Sequence, residues 1–178
     1  MSGGTIETPL KDRLGGNIML PPNKKPYPST LEEIERVFVI GAPFEERRKL
    51  IFRALTFYCE LVWAQSPHAR LWIDGGFTTL KSWAPPEDVD VVIVIPAVDE
   101  PLLTATGLAP LLTAEKALIS GSKFEAVRPL GGLVDGYFAM ESNQAAMEKW
   151  NNQWSQVRLS DGTIHPSLRK GFVEVTKQ

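Results

Sequence analysis

The sequence is poor in the residues that cross-link small domains or build zinc sites. Its 178 residues include one cysteine, Cys59, and two histidines, His68 and His165. A single cysteine excludes an internal disulfide framework and a cysteine-based zinc cluster. Two histidines are too few for a histidine-rich metal site. Any metal chemistry must therefore use carboxylates.

The chain also lacks an excess of charge and a long apolar run. It has 19 basic and 21 acidic residues, so its net charge is −2. Bulk binding to a nucleic-acid backbone would need a strongly basic surface and is not expected. The longest strongly apolar run, residues 89–98, has ten residues, whereas a transmembrane helix needs about 20. No segment resembles a signal peptide. These absences predict a soluble cytoplasmic protein without a membrane partner.

Glycine and proline divide the chain into an arm and a domain. Residues 1–28 contain Gly3, Gly4, Gly15 and Gly16, and they end in a proline-rich stretch. This composition predicts a flexible N-terminal arm over 1–28 and one domain over 29–178. The length suits a single core.

Within the domain, the pattern alternates between helical and strand-like segments. Ser29 and Thr30 precede two glutamates, which predicts a helix with a capping box, and Pro43 would open a longer helix that ends near Ser66. Further helices are predicted at 101–119 and, capped by Ser142, at 142–154. Strands are predicted at 70–74, 88–95, 124–128, 133–140 and, as a closing edge strand, 171–176. The expected fold is α/β (α+β), with a small mixed sheet flanked by helices.

One segment combines two glycines with two aspartates. Gly75 and Gly76 end the first strand, and Asp88 and Asp90 open the next one after a spacer of eleven residues. Residues two apart on a strand point to the same side, with Cα atoms about 6.5–7 Å apart. Carboxylates placed so suit Mg²⁺, which binds one or two carboxylates together with substrate phosphates. Adjacent glycines let backbone N–H groups approach a phosphate. The pattern predicts phosphoryl or nucleotidyl transfer.

These residues resemble the motif of the DNA polymerase beta-type nucleotidyltransferase superfamily, a Gly-Gly or Gly-Ser pair followed by Asp-x-Asp on a strand. The resemblance is strongest over residues 70–96. In detail the chain is most similar to a group of small bacterial and phage-borne members, whose shared features stand here as residues 72–77, 86–91 and 170–174.

The resemblance implies a nucleotidyltransferase-like fold and a Mg²⁺-dependent transfer of a nucleoside monophosphate from an NTP to a hydroxyl. One or two magnesium ions would be held by Asp88, Asp90 and a third carboxylate, for which Asp135 is the candidate and Glu125 the runner-up. The predicted nucleotide- and phosphate-binding residues are Gly75, Gly76, Phe77 and Lys81. Lys123 and Arg128 are further candidate triphosphate contacts, and Trp83 could stack on a base.

The acceptor is not encoded in the motif. A protein side chain, a tRNA and a small molecule all remain open, although the short, mildly acidic chain favours a protein or a small molecule. By analogy with other small members, a toxin–antitoxin or phage-defence setting with a partner protein is expected.

Two departures from the family pattern support an alternative. Asp74 stands directly before the glycines, and Phe77 stands where a serine commonly contacts phosphate. The alternative is a non-catalytic nucleotide- or protein-binding module on a degenerate nucleotidyltransferase fold.

Overall fold

A computed structural model of the protein describes residues 10–115 and 126–178. Six α-helices, three short 3₁₀ turns and nine strands are present in these ranges. The helices are α1 (Leu10–Leu14), α2 (Leu31–Phe38), α3 (Glu45–Gln65), α4 (Ala105–Leu108), α5 (Pro129–Gly132) and α6 (Gln144–Trp154). The strands are β1 (Tyr27–Ser29), β2 (Arg70–Asp74), β3 (Val89–Ile95), β4 (Ala114–Glu115), β5 (Ala126–Val127), β6 (Val134–Met140), β7 (Gln156–Arg158), β8 (Ile164–Arg169) and β9 (Val173–Thr176).

A five-stranded mixed sheet organises the domain, in the order β1-β9-β2-β3-β6. The pairs β1–β9 and β3–β6 are parallel, and β2 is antiparallel to both β3 and β9. Two small two-stranded sheets, β4–β5 and β7–β8, lie outside it. The predicted α+β class with a mixed sheet and flanking helices is confirmed.

Helices cover both faces of the sheet. Alternate residues of β2, β3 and β6 pack on one side against the large core that includes α2 and α3. The opposite side, here called the α6 face, carries a smaller cluster of Trp72, Val92, Val94, Ala139, Trp154 and Phe172. Because β3 is apolar on both sides beyond Asp90, its continuous Val and Ile run reflects burial on both faces.

The described part of the predicted arm is packed against the core. Leu10, Leu14 and Leu20 are buried, and β1 adds a strand at the edge of the sheet beside β9. Glycine and proline content suggested flexibility here, but three leucines in separate positions anchor this segment by burial. The segment predicted to be a flexible arm thus contains packed residues from Leu10 onward, and residues 1–9 lie outside the described ranges.

The predicted element boundaries needed four corrections. α3 begins at Glu45, because Phe44 has a left-handed backbone with φ of 61°. Asn143, not Ser142, caps α6 and accepts a hydrogen bond from the backbone N–H of Ala146. β9 is an interior strand rather than an edge. Residues 101–115 form only short helical turns and β4, since Pro101, Gly107 and Pro110 interrupt a longer helix. The rest of this predicted helix, 116–119, lies outside the described residues.

The predicted cap of α2 is confirmed. The Thr30 hydroxyl accepts a hydrogen bond from the backbone N–H of Glu33 at 3.1 Å, and the Ser29 hydroxyl donates to the Glu33 carboxylate at 3.1 Å. In the described residues, no helix has the length and apolarity needed to cross a bilayer.

Candidate functional site

Three aspartates lie side by side on adjacent strands. Asp74 at the end of β2 is the register partner of Asp90 on β3, and Asp90 is in turn the partner of Asp135 on β6. Directly opposed residues have Cβ atoms about 4.5–5.5 Å apart. Asp88 precedes β3 and lies two residues before Asp90, on the same side of the strand. We call these four residues, on the α6 face, the acid cluster.

Asp74 is neutralised by a buried lysine. The Lys170 ammonium contacts its carboxylate, and the Thr78 hydroxyl donates a hydrogen bond to it at 3.2 Å. Burial raises the pKa of Asp74, although Lys170 and these hydrogen bonds act in the opposite direction. Lys170 was not among the predicted site residues, because its partner lies 96 positions away in the sequence. The pairing occupies Asp74 and leaves three acids for a cation.

Asp88 and Asp135 share a second basic residue. Arg128 Nη1 lies 3.2 Å from Asp88 Oδ2, and Arg128 Nε lies 3.4 Å from Asp135 Oδ2. The other oxygen of Asp135 accepts a hydrogen bond of 2.6 Å from the Thr113 hydroxyl. Burial is the main cause that raises the pKa of Asp88, and the nearby Asp135 adds to it while Arg128 opposes it.

Asp90 is the central member of the cluster and the least compensated. Its carboxylate has no hydrogen bond or ion pair with a residue that the structure describes. Burial, together with the negative charges of Asp74, Asp88 and Asp135, raises the pKa of Asp90 to about 7. An additional positive charge beside Asp90 would reverse this effect.

The glycine pair brings the backbone directly against Asp90. Gly75 has φ of +88°, and a Cβ at this position would lie 1.9 Å from Asp90 Oδ2. Only glycine fits here, for both the backbone conformation and the space. Gly76 begins a 3₁₀ turn, Gly76–Thr78, so the turn and the acid cluster meet at one end of the sheet.

Lys81 lies over the glycine turn. A Cβ added to Gly76 would be 3.5 Å from Lys81 Nζ, and this ammonium makes no hydrogen bond or ion pair with any residue in 10–115 or 126–178. Phe77, in contrast, is fully buried in the core. Its predicted contact with phosphate could involve only its main chain.

Two arginines of α3 hold the turn and the following loop in place. Arg48 is fully buried, and its guanidinium donates to the carbonyls of Phe38, Pro43, Phe77 and Thr79. Burial lowers its pKa to about 10. Arg47 donates to the carbonyls of Pro86 and Glu87, directly before Asp88. Sequence reasoning missed both, because an arginine inside a helical pattern gives no signal of carbonyl partners.

The remaining candidates fall in different places. Trp83, in the loop between the glycines and the aspartates, is 63% exposed. Glu125 and Lys123 lie outside the described residues. Cys59 is buried in α3, and burial raises the pKa of its thiol to about 12, as expected for a residue that serves packing. The His68 ring is hydrogen-bonded to the buried Asp99 at 2.8 Å.

The acid cluster consists of carboxylates, the ligand type that Mg²⁺ requires, and three of its four members are in contact with a basic side chain. Carboxylate oxygens are the preferred protein ligands of this ion. The backbone register places Asp90 beside Asp135, and Arg128 contacts both Asp88 and Asp135. Within the described ranges, no three His, Cys, Asp or Glu side chains are arranged as a metal-binding group. The Asp88 and Asp135 carboxylates instead contact Arg128, and Asp135 also accepts a hydrogen bond from Thr113. The residues fit the ion by type and register.

Comparison with known proteins gives a family without an assigned activity. A family model described as a family of unknown function (DUF6932) matches residues 14–176. No curated protein and no solved structure matches the chain. The match covers the packed segment that contains Leu14 and Leu20 as well as the sheet.

Proposed function

We propose that this chain, which belongs to that family of unknown function, is a Mg²⁺-dependent nucleotidyltransferase acting in the cytoplasm. The observation that carries the proposal is the meeting of the acid cluster with a glycine turn and with the Lys81 ammonium, which pairs with no residue in the described ranges. Asp90 lies against Gly75, and Lys81 lies over Gly76. Opposite charges arranged in this way suit the two ends of a metal–triphosphate complex.

Each group has a distinct role in this proposal. Asp88, Asp90 and Asp135 would hold magnesium, which neutralises charge on the triphosphate. The main chain at Gly75 and Gly76 and the Lys81 ammonium would bind the phosphates that leave. Arg48 and Arg47 keep the turn and the loop before Asp88 in position through their carbonyl contacts.

In the transfer itself, an acceptor hydroxyl attacks the α-phosphorus of the NTP. A new phosphorus–oxygen bond forms to the acceptor, and the bond to the β-phosphate oxygen breaks. We assign the acceptor proton to the Asp135 carboxylate, and pyrophosphate leaves with the electron pair. Transfer of this kind depends mainly on positioning and charge stabilisation.

The direct test is transfer of label from α-³²P-labelled NTPs in the presence of Mg²⁺. Each of the four NTPs is incubated with acceptors from three classes: proteins, tRNA and small hydroxyl compounds. We expect label on one class with the unaltered protein, and a loss of at least about a hundredfold for Asp90→Asn. Asp12→Asn, at an exposed position in α1, is the matched control and should retain activity. Equal labelling by Asp90→Asn, or no labelling with any NTP, would refute the proposal.

A second candidate function is a binding module without catalysis. It is favoured by the basic residues already in contact with three of the four acids, Lys170 on Asp74 and Arg128 on Asp88 and Asp135. A module of this kind would bind NTP without releasing pyrophosphate. Nucleotide binding by calorimetry, with no label transferred to any acceptor, would support it over the enzyme.

A further inference from the structure

Arg128 reaches two of the three carboxylates that the proposed function assigns to magnesium. Its Nη1 and Nε atoms approach Asp88 and Asp135 at 3.2 and 3.4 Å. The Arg128 side chain is 39% exposed, while those of Asp88 and Asp135 are 16% and 9% exposed. The guanidinium therefore lies across the acids from the solvent side, where a ligand would arrive.

The two Arg128 contacts are longer than the hydrogen bond that Thr113 makes to Asp135. Charge-assisted N–H···O hydrogen bonds are usually about 2.7–2.9 Å long, and both Arg128 distances exceed this range. An ion pair that includes a solvent-exposed partner is also screened by water. Thr113, by comparison, holds Asp135 at 2.6 Å. Arg128 can thus be displaced without loss of the Asp135 anchor.

The backbone around Arg128 is not part of the central sheet. Arg128 follows β5 of the small β4–β5 sheet and precedes α5. In α5, Leu130, Gly131 and Gly132 all have positive φ, of 51°, 69° and 84°. Pro129 is buried and Leu130 packs against the core, whereas the Arg128 side chain is partly exposed. A rotation of this side chain would therefore change its partner without repacking the core.

We propose that Arg128 is an internal counter-cation that exchanges partners during nucleotide binding. Before binding, its guanidinium pairs with Asp88 and Asp135. When a divalent cation takes these carboxylates, the guanidinium moves to the incoming triphosphate, whose oxygens suit its planar donor fork. The inference rests on the proposed function, because it requires that these acids bind a cation and that the site takes a nucleotide.

This exchange makes cation and nucleotide binding cooperative. A divalent cation alone must displace Arg128, so its affinity is reduced. A triphosphate gives the displaced guanidinium a new partner, so it raises the affinity for the cation, and linkage makes the effect reciprocal. A side chain that merely stabilised the fold would not change this coupling.

The test measures Mn²⁺ binding by electron paramagnetic resonance of the free ion, with and without an α,β-methylene NTP analogue. We expect Arg128→Gln to bind Mn²⁺ alone at least about fivefold more tightly than the unaltered protein. The enhancement of Mn²⁺ affinity by the analogue should fall by at least about fivefold in this variant. Arg53→Gln, at an exposed position in α3, should change neither value, and melting curves verify that all proteins are folded.

Two results would overturn the inference in different ways. If Arg128→Gln binds Mn²⁺ like the unaltered protein and retains the full enhancement, Arg128 does not compete with the cation, and the proposed function remains. If the unaltered protein binds no Mn²⁺ even with the analogue, both the proposed function and the role of Arg128 are refuted.

Discussion

The Asp90 side chain is surrounded by other acidic groups and by the backbone of Gly75. Its neighbours in register are two further aspartates, and its carboxylate leaves no room for a Cβ at position 75. A carboxylate in such surroundings destabilises the folded chain when ionised. The negative charge that would attract a cation therefore lowers the stability of the folded protein when no cation is bound, as is common for groups at functional sites.

The unfavourable ionisation of Asp90 predicts that the stability of the protein depends on pH when EDTA removes divalent cations. Because the pKa of Asp90 is raised from 3.8 to about 7, the folded state binds the proton more tightly than the unfolded state. Stability from this group is full below pH 4 and is lost as the pH rises to about 7. The side chain of Asp90→Asn cannot ionise. The free energy of unfolding of this variant, relative to that of the unaltered protein, should therefore increase by at least about 1 kcal/mol between pH 4.5 and pH 8. The difference between their melting temperatures should increase accordingly.

Thermal unfolding followed by circular dichroism across this pH range measures the effect. Asp12→Asn removes an exposed carboxylate and should show a difference that stays flat with pH. A difference for Asp90→Asn that is constant, or that shrinks as the pH rises, would show that Asp90 titrates as an ordinary carboxylate.

At this scale the sequence revealed part of the site. The spacing of Asp88 and Asp90 places them on one side of a strand, because alternation on a strand is fixed by geometry. Lys170 and Arg48 gave no signal, and Arg128 was predicted only as a triphosphate contact, since the partners of all three depend on contacts between elements distant in sequence. Two of the segments that carry the resemblance, residues 72–77 and 170–174, do meet in the structure, because Lys170 contacts Asp74.

Among the elements, α3 does more than cover the sheet. Its first turns project the Arg48 guanidinium into the core, where it donates to the carbonyl of Phe38 at the end of α2 and to those of Phe77 and Thr79 in and directly after the glycine turn. Buried carbonyls without donors are destabilising. A single helical residue thereby joins the loop after α2, the start of α3 and the turn that carries Gly75 and Gly76.

Replacement of Arg48 by methionine should therefore lower stability strongly. Methionine fills a similar volume but leaves several buried carbonyls without donors, so we expect a loss of at least about 3 kcal/mol in the free energy of unfolding. Urea denaturation measures it. Arg53→Met, on the exposed side of the same helix, should change the value by about 0.5 kcal/mol or less. A similarly small effect for Arg48→Met would mean that the turn does not depend on these hydrogen bonds.

Elements with a strong repeated pattern could be predicted, and irregular ones could not. β3 follows from its run of β-branched residues, and α2 from its cap. The stretch from Glu100 to Glu115 has the composition of a helix but forms short turns, because proline and glycine at irregular intervals limit each one. The interior position of β9 depends on β1, and no pattern in residues 27–29 indicated a strand of the sheet.

At the scale of the molecule, the sheet and the described N-terminal residues from Leu10 onward share one core. Leu10, Leu14 and Leu20 belong to the same core as β2, β3 and β6. The arrangement leaves one end of the α6 face for the acid cluster, with the glycine turn and Lys81 beside it. Composition excluded a basic surface, and it could not show that the acids would be concentrated at one position.

The central claim is that the acid cluster binds a divalent cation together with a nucleotide. The most direct measurement is an anomalous difference map from crystals grown with Mn²⁺ and an α,β-methylene NTP analogue. The account predicts a manganese peak within coordination distance of the carboxylates of Asp88 and Asp90, with the triphosphate over Gly75 and Gly76 and Arg128 moved to it. A bound analogue with no manganese at these carboxylates, and with Arg128 still between Asp88 and Asp135, would contradict it.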